Sequence, residues 1–342
     1  RKERESVLHQ DDKIKDSYIV NTMCSRFGSG EAKGTILDSI RGKDLYLLVD
    51  VTNYSIEYSL CGHMNKMSPD DHYSDLKRII TAAAGKARRI NVIMPFLYES
   101  RQHKRTARES LDCAVALQEL HALGVENIIT FDAHDSNVSN AIPNLQFTNF
   151  YPTNTILKDL LINEDIHNPL VISPDMGAME RARYYAEMLD SDVGVFYKRR
   201  DLQNVVNGKN PIIEHIYMGN NVADRDVLVV DDMIASGNSM LEVAEKLYNK
   251  GANNIYFIAT FALFTEGIQE FDKAYEKGHF TKLYTTNLSY IPEEYQNKEW
   301  CHAVDNSYDI ANIINTLHNK ESLKPLLNGK EKILQLRKEL KK

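Results

Sequence analysis

The chain has 342 residues, 43% hydrophobic and 26% charged, with a formal net charge of −7. That length can bury a large core and divides naturally into two domains, while the acidic balance argues against a nucleic-acid-binding surface. No apolar run approaches the roughly 18 residues that a membrane span needs, so no membrane partner is expected.

The four cysteines (Cys24, Cys61, Cys113, Cys301) are far apart and form no Cys-x-x-Cys. They point away from a zinc site or a disulfide framework and toward the reducing cytoplasm. No signal peptide is visible, although a chain that opens on Arg1 leaves room for an upstream leader.

Buried strands are predicted at 45–51, 90–94, 127–131, 169–173, 193–196, 227–230 and 255–259, alternating with helices. Such alternation means parallel sheets covered by helices. Near the start, Gly28-Ser29-Gly30-Glu31-Ala32-Lys33-Gly34 does not match Gly-x-Gly-x-x-Gly, and Lys33-Gly34-Thr35 reverses the P-loop order. After the strand at 90–94 comes Arg101-Gln102-His103-Lys104-Arg105. Its cations either clamp a polyphosphate with planar guanidinium forks or form a solvated basic turn.

A helix with Cys113, Ala116, Leu117 and Leu120 on one face follows. Gly124-Val-Glu-Asn-Ile128 then ends that helix and opens a strand, and Gly251-Ala-Asn-Asn-Ile255 repeats the arrangement. Glycine is the expected helix cap in both, and the echo fits two tandem α/β domains with a boundary near Tyr151-Pro152-Thr153.

Phe131-Asp132-Ala133-His134-Asp135 sets a histidine between acids at a strand's carboxyl end, where ligands of open α/β sheets gather. His134 is either a Mg²⁺ ligand or water-shell partner, or a structural histidine. Ser173-Pro174-Asp175-Met176-Gly177 leads into a helix over 179–189, so Asp175 is a candidate metal or hydroxyl ligand and equally a helix N-cap. Phe196-Tyr197-Lys198-Arg199-Arg200-Asp201 leaves a strand for a segment holding Asn204, Asn207, Gly208, Lys209 and Asn210. That segment reads as a mobile loop whose root cations either close over phosphates or line a basic surface.

Residues 227–239 are the most informative. Four apolar residues run into Asp231 and Asp232, then a Ser236-Gly237-Asn238-Ser239 turn, then a helix with Met240, Val243, Ala244 and Leu247 on one face. Free N–H groups at that helix start form an anion site, and the two acids can accept hydrogen bonds from vicinal hydroxyls or hold Mg²⁺. Diol acceptors beside an anion cradle suit a sugar phosphate; the alternative is an acidic loop capping an ordinary helix. The Lys/Leu tail at 321–342 is expected to be a solvated helix.

The stretch 227–239 resembles the phosphoribosyl-pyrophosphate motif of type I phosphoribosyltransferases. Taken in order, all these segments, with 39–49 and 310–318, resemble the ribose-phosphate diphosphokinase (phosphoribosyl pyrophosphate synthetase) family over nearly the whole chain. The resemblance implies an α/β fold of two tandem phosphoribosyltransferase-like domains, each a mostly parallel sheet flanked by helices. Residues 1–150 would form the ATP side, 151–320 the ribose 5-phosphate side and 321–342 a helical tail. The implied reaction moves the diphosphoryl group of ATP to O1 of ribose 5-phosphate, giving 5-phosphoribosyl 1-diphosphate and AMP. Mg²⁺ is the implied cofactor, and the implied assembly is a cytoplasmic homo-oligomer, a hexamer or smaller.

By the same resemblance Arg101 and Gln102 hold ATP, with Phe27, Ser29, Gly30 and Glu31 forming a loop that packs on adenine from a neighbouring subunit. His134 and Asp175 serve the metal. Lys198 and Arg200 are the catalytic loop cations, while Asp231, Asp232, Ala235, Ser236, Gly237, Asn238 and Ser239 take ribose 5-phosphate. Four departures stand out: Ser29 and Ala235 replace acids, His103 replaces the usual Asp, and Asn238 replaces a glycine. Loss of one ribose acceptor costs on the order of 1–3 kcal/mol in binding, yet it leaves the transfer cations, so an active, divergent branch is expected. Two rivals remain: a phosphoribosyltransferase, which needs neither the first domain nor Arg101-Gln102, and a catalytically silent regulatory relative, suggested by Ala235.

Overall fold

The computed structural model describes residues 17–200, 212–327 and 329–340, with side chains left undescribed at 198–200 and 212–215. Strands β1 (Thr22–Arg26) and β2 (Ala32–Ile36) pair as an antiparallel hairpin ahead of β3 (Asp44–Leu48). A second hairpin, β4 (Glu57–Leu60) with β5 (His63–Lys66), precedes β6 (Arg89–Ile93), β7 (Asn127–Phe131) and β8 (Gln146–Phe150). Strands β3, β6, β7 and β8 form the first sheet in that order, all parallel.

The second sheet is built from β9 (Leu170–Ser173), β10 (Asp192–Arg200), β11 (Ile212–Met218), β12 (Val227–Ile234), β13 (Ile255–Ala262), β14 (Lys282–Thr286) and β15 (Cys301–Val304). Its order is β11-β10-β9-β12-β13-β14-β15, and the described antiparallel pair within it is β10 with β11. The chain thus has the expected α/β fold of mostly parallel sheets flanked by helices.

The apolar runs explain the centre of this sheet. Along β12, Val227 and Val229 join a core with Met240, Val243, Ala244 and Leu247 of the Asn238–Asn249 helix. Leu228 and Val230 point the other way, onto Ala182, Tyr185 and Leu189 of the Met179–Leu189 helix. Alternate side chains of a strand take opposite faces, so a strand covered on both sides must be apolar throughout. The predicted faces of the Asp112–Ala122 and Asn238–Asn249 helices are the buried ones. Gly124 and Gly251 both follow helix ends with positive φ, 90° and 81°, as the repeated cap requires.

The chain's end departs from expectation. The Lys330–Leu340 helix is not merely solvated: Ile333 is buried beside Ile156, Leu157 and Leu160, and Lys330 pairs with Glu187. The Ser307–His318 helix reaches back to the first sheet, where Ile313 packs with Ile93, Ile129, Phe131 and Phe150, and with Phe261 of β13. This shared apolar cluster brings the carboxyl ends of β7 and β12 together. Among the described residues, no helix is long and apolar enough to cross a membrane.

Candidate functional site

Where the two sheets meet, the segments following β6, β7, β9 and β12 open on a cleft of ≈ 610 Å³. Its lining includes Arg101, His134, Asp175, Asp231, Asp232, Ala235, Ser236, Gly237 and Ser239, so most residues singled out in the sequence converge. They come from both halves of the chain, which gather their strand ends as open α/β sheets do.

The convergence has a polar centre. Asp132 directly follows β7 with φ of 43°, a left-handed conformation that costs an aspartate about 1 kcal/mol. Its buried carboxylate accepts from Arg181 Nε at 2.9 and 3.0 Å and from Thr260 Oγ1 at 2.6 Å. Two residues on, His134 Nδ1 lies 2.7 Å from Asp232 Oδ2. That hydrogen bond holds the imidazole above its ordinary pKa against the effect of burial, which makes Nδ1 the donor. The ring's Nε2 has no partner among the described residues.

Asp231 and Asp232 are adjacent carboxyl groups whose pKa values are pushed in opposite directions. Burial would raise Asp232, but the hydrogen bond with His134 and the charge of Arg181 hold it below the usual carboxylate range. Asp231 is pushed well above that range by burial and by the neighbouring Asp232 charge, with Arg181 opposing. Asp231 also accepts from the Asp232 N–H at 2.9 Å.

Asp175 is not the N-cap that its sequence allowed, since the Met179–Leu189 helix is capped at Ala178 with no side-chain hydrogen bond. One carboxylate oxygen accepts from Gly177 N at 2.8 Å and Ala178 N at 3.3 Å within the turn ahead of that helix, and the side chain lines the cleft. Among the described residues no three His, Cys, Asp or Glu side chains form a ready cage. The carboxylates on offer instead suit a hard cation that keeps its water and completes its shell on substrate phosphates, as Mg²⁺ does.

The remaining candidates divide between the cleft and its surroundings. Arg101 reaches the cleft with its guanidinium on Met233 Sδ at 2.7 Å, whereas Gln102 turns away and donates to Ser110 O at 2.7 Å. Phe27, Ser29, Gly30 and Glu31 occupy the β1–β2 turn, where Phe27 is exposed and Ser29 donates to Glu31 at 2.8 Å. None of those four lines the cleft. Asn238 begins its helix as an exposed residue outside the lining, unlike Ser236 and Ser239 on either side. Lys198 and Arg200 lie at the end of β10, with side chains outside the described residues; Tyr197 just before them lines the cleft.

Arg181 and Tyr197 also line the cleft without having been assigned a role there, as do Lys104, one of the candidate polyphosphate cations, and His103 beside it. His103 Nε2 sits 3.2 Å from Asp135, next to His134. Arg181 gave no sequence signal, because an arginine two residues into a helix reads as a solvated face. Its partners are distant in the chain and come together only through the fold.

Two family profiles match the chain: the N-terminal domain of ribose phosphate pyrophosphokinase over residues 11–124 and the phosphoribosyl transferase domain over 154–297. It is 28% identical to the ribose-phosphate pyrophosphokinase of Haemophilus influenzae, covering 89% of this chain and 90% of that one. With the ribose-phosphate pyrophosphokinase of Haemophilus ducreyi it shares 30% identity over 72% of each chain. Among solved structures, the phosphoribosylpyrophosphate synthetase of Mycobacterium smegmatis superposes with a TM-score of 0.72 at 19% identity, covering 92% of this chain and 96% of that chain. That similarity is one of fold.

Proposed function

Because the chain belongs to the ribose-phosphate pyrophosphokinase family, we propose that its cleft transfers the β,γ-diphosphoryl group of ATP to O1 of ribose 5-phosphate. A bond forms between O1 and the β-phosphorus, the α,β-bridging bond breaks, and AMP leaves. The observation that carries this reading is the 2.7 Å contact between His134 and Asp232. It joins a strand end of the first half to the acids of the sugar-phosphate motif in one cleft.

In this proposal residues 1–150 bring the nucleotide and 151–320 the sugar, with 321–342 as a packed tail. The N–H groups from Ser236 to Ser239, at the start of a helix, hold the 5-phosphate. Asp231 accepts from a ribose hydroxyl, and Arg101 holds ATP at the rim. His134 and Asp175 face the metal region, where bound Mg²⁺ would neutralise and template the phosphates. Lys198 and Arg200, rooted beside Tyr197, stabilise charge on the group in transit.

The β1–β2 turn from Phe27 to Glu31 stands apart from its own cleft, which supports a homo-oligomer in which it serves a neighbouring subunit. Gln102 would have to swing from Ser110 to reach ATP. The expected compartment is the cytoplasm. A silent regulatory relative is the second reading, favoured only by Ala235. Supplied with ATP, Mg²⁺ and ribose 5-phosphate, the protein should form AMP and 5-phosphoribosyl 1-diphosphate in equal amounts. ADP in place of AMP, or sugar binding with no turnover, contradicts the proposal.

A further inference from the structure

Arg181 has no part in the scheme above, yet among the described residues it is the best-connected cation in the cleft. Its side chain is 11% exposed, and three carboxylates surround it. Nε and NH2 grip Asp132 of the first half, with NH2 at 2.8 Å from Oδ1. NH1 lies 3.9 Å from Asp231 and NH2 4.0 Å from Asp232 of the second half. Thr260 on β13 closes the far side of Asp132 at 2.6 Å. The side chains of Asp132 and Asp232 are 3% and 4% exposed, so water screens these contacts little.

We infer that Arg181 is a positioning residue, the joint that sets the register between the nucleotide half and the sugar half of the site. A guanidinium is a rigid planar fork, and gripping Asp132 along one edge fixes where its remaining N–H groups meet Asp231 and Asp232. Asp132 has little freedom to follow a different partner. Its own N–H is bound to Phe150 O at 2.7 Å, and Thr260 holds the carboxylate. Asp232 in turn carries His134, so a shift of the fork displaces the acceptor Asp231 and the imidazole together. In-line transfer tolerates such displacement poorly, since a misplacement of about 1 Å can cost on the order of a hundredfold in rate.

The inference rests on the proposed reaction, and AMP formation by the wild-type protein tests that reaction separately in the same assay. The test compares Arg181→Lys, Arg181→Met and Arg181→Met with Asp132→Asn, reading kcat alongside the melting temperature. Arg181→Lys keeps the charge but not the fork; it should stay folded and lose about tenfold or more in kcat. Arg181→Met strands buried carboxylates and should lower both the melting temperature and kcat. Adding Asp132→Asn removes one stranded charge, so the melting temperature should recover while kcat stays about tenfold or more below wild type. Recovery of kcat together with stability would show that Arg181 merely neutralises Asp132, and would overturn the inference. A wild-type kcat in Arg181→Lys would overturn it as well.

Discussion

Lys198 lies near the end of β10, immediately after Tyr197, which lines the cleft. Little covalent chemistry falls to the protein in phosphoryl transfer, so a loop cation acts by stabilising charge in the transition state. Lys198→Ala should therefore lower kcat by about two orders of magnitude, the effect of losing one transition-state donor, with much smaller changes in KM. Steady-state kinetics decide this, and a kcat within a few-fold of wild type would remove Lys198 from the role. Ala235 poses the converse question, because it lines the cleft beside Asp231 without an acceptor of its own. Ala235→Asp should tighten ribose 5-phosphate by about tenfold, one charge-assisted hydrogen bond, as measured by titration calorimetry. Weaker binding would mean that repulsion from Asp231 and Asp232 outweighs the new contact. The sequence pointed to His134, Asp175, Asp231 and Ser236 because each follows an apolar strand. Nothing comparable marked Arg181, whose partners Asp132 and Asp232 become neighbours only when two sheets meet.

The turn between β12 and the Asn238–Asn249 helix is where element geometry bears most directly on binding. Gly237 has φ of 78°, and a methyl group there would collide with the ring of the fully buried Phe271. Gly237→Ala combines a left-handed penalty with overpacking against a ring that cannot retreat. The melting temperature should fall by roughly 5 °C or more, and calorimetry should show weaker ribose 5-phosphate binding. Unchanged stability would mean that the turn relaxes easily and does not set the cradle. Elements were legible in proportion to burial. Strands β7, β9, β12 and β13 are apolar on both faces and stood out. The polar β8 (Gln-Phe-Thr-Asn-Phe) and the Lys282–Thr286 and Cys301–Val304 strands lie at or near sheet edges, where neighbours and not composition decide the conformation.

At the scale of the whole molecule, the two sheets form one site because they share apolar and polar joints. The Ser307–His318 helix follows the last strand of the second sheet yet packs Ile313 on Ile93, Phe131 and Phe150 of the first. Asp50 adds a hydrogen bond from Tyr290 N at 2.6 Å, and Asp132 with Arg181 completes the seam at the cleft. The repeated Gly caps signalled two similar units, but local sequence carries no sign of how they face one another. In the proposed reaction that arrangement is what distinguishes a diphosphoryl transferase from a single phosphoribosyltransferase unit, since ATP and the sugar would meet across the seam. The most direct test follows the label from ATP radiolabelled at the β-phosphorus, incubated with Mg²⁺ and ribose 5-phosphate. The label should leave the adenine nucleotide and appear in the sugar product, with unlabelled AMP formed in equal amount. Label retained in ADP, with only the γ-phosphoryl group transferred, would contradict the account.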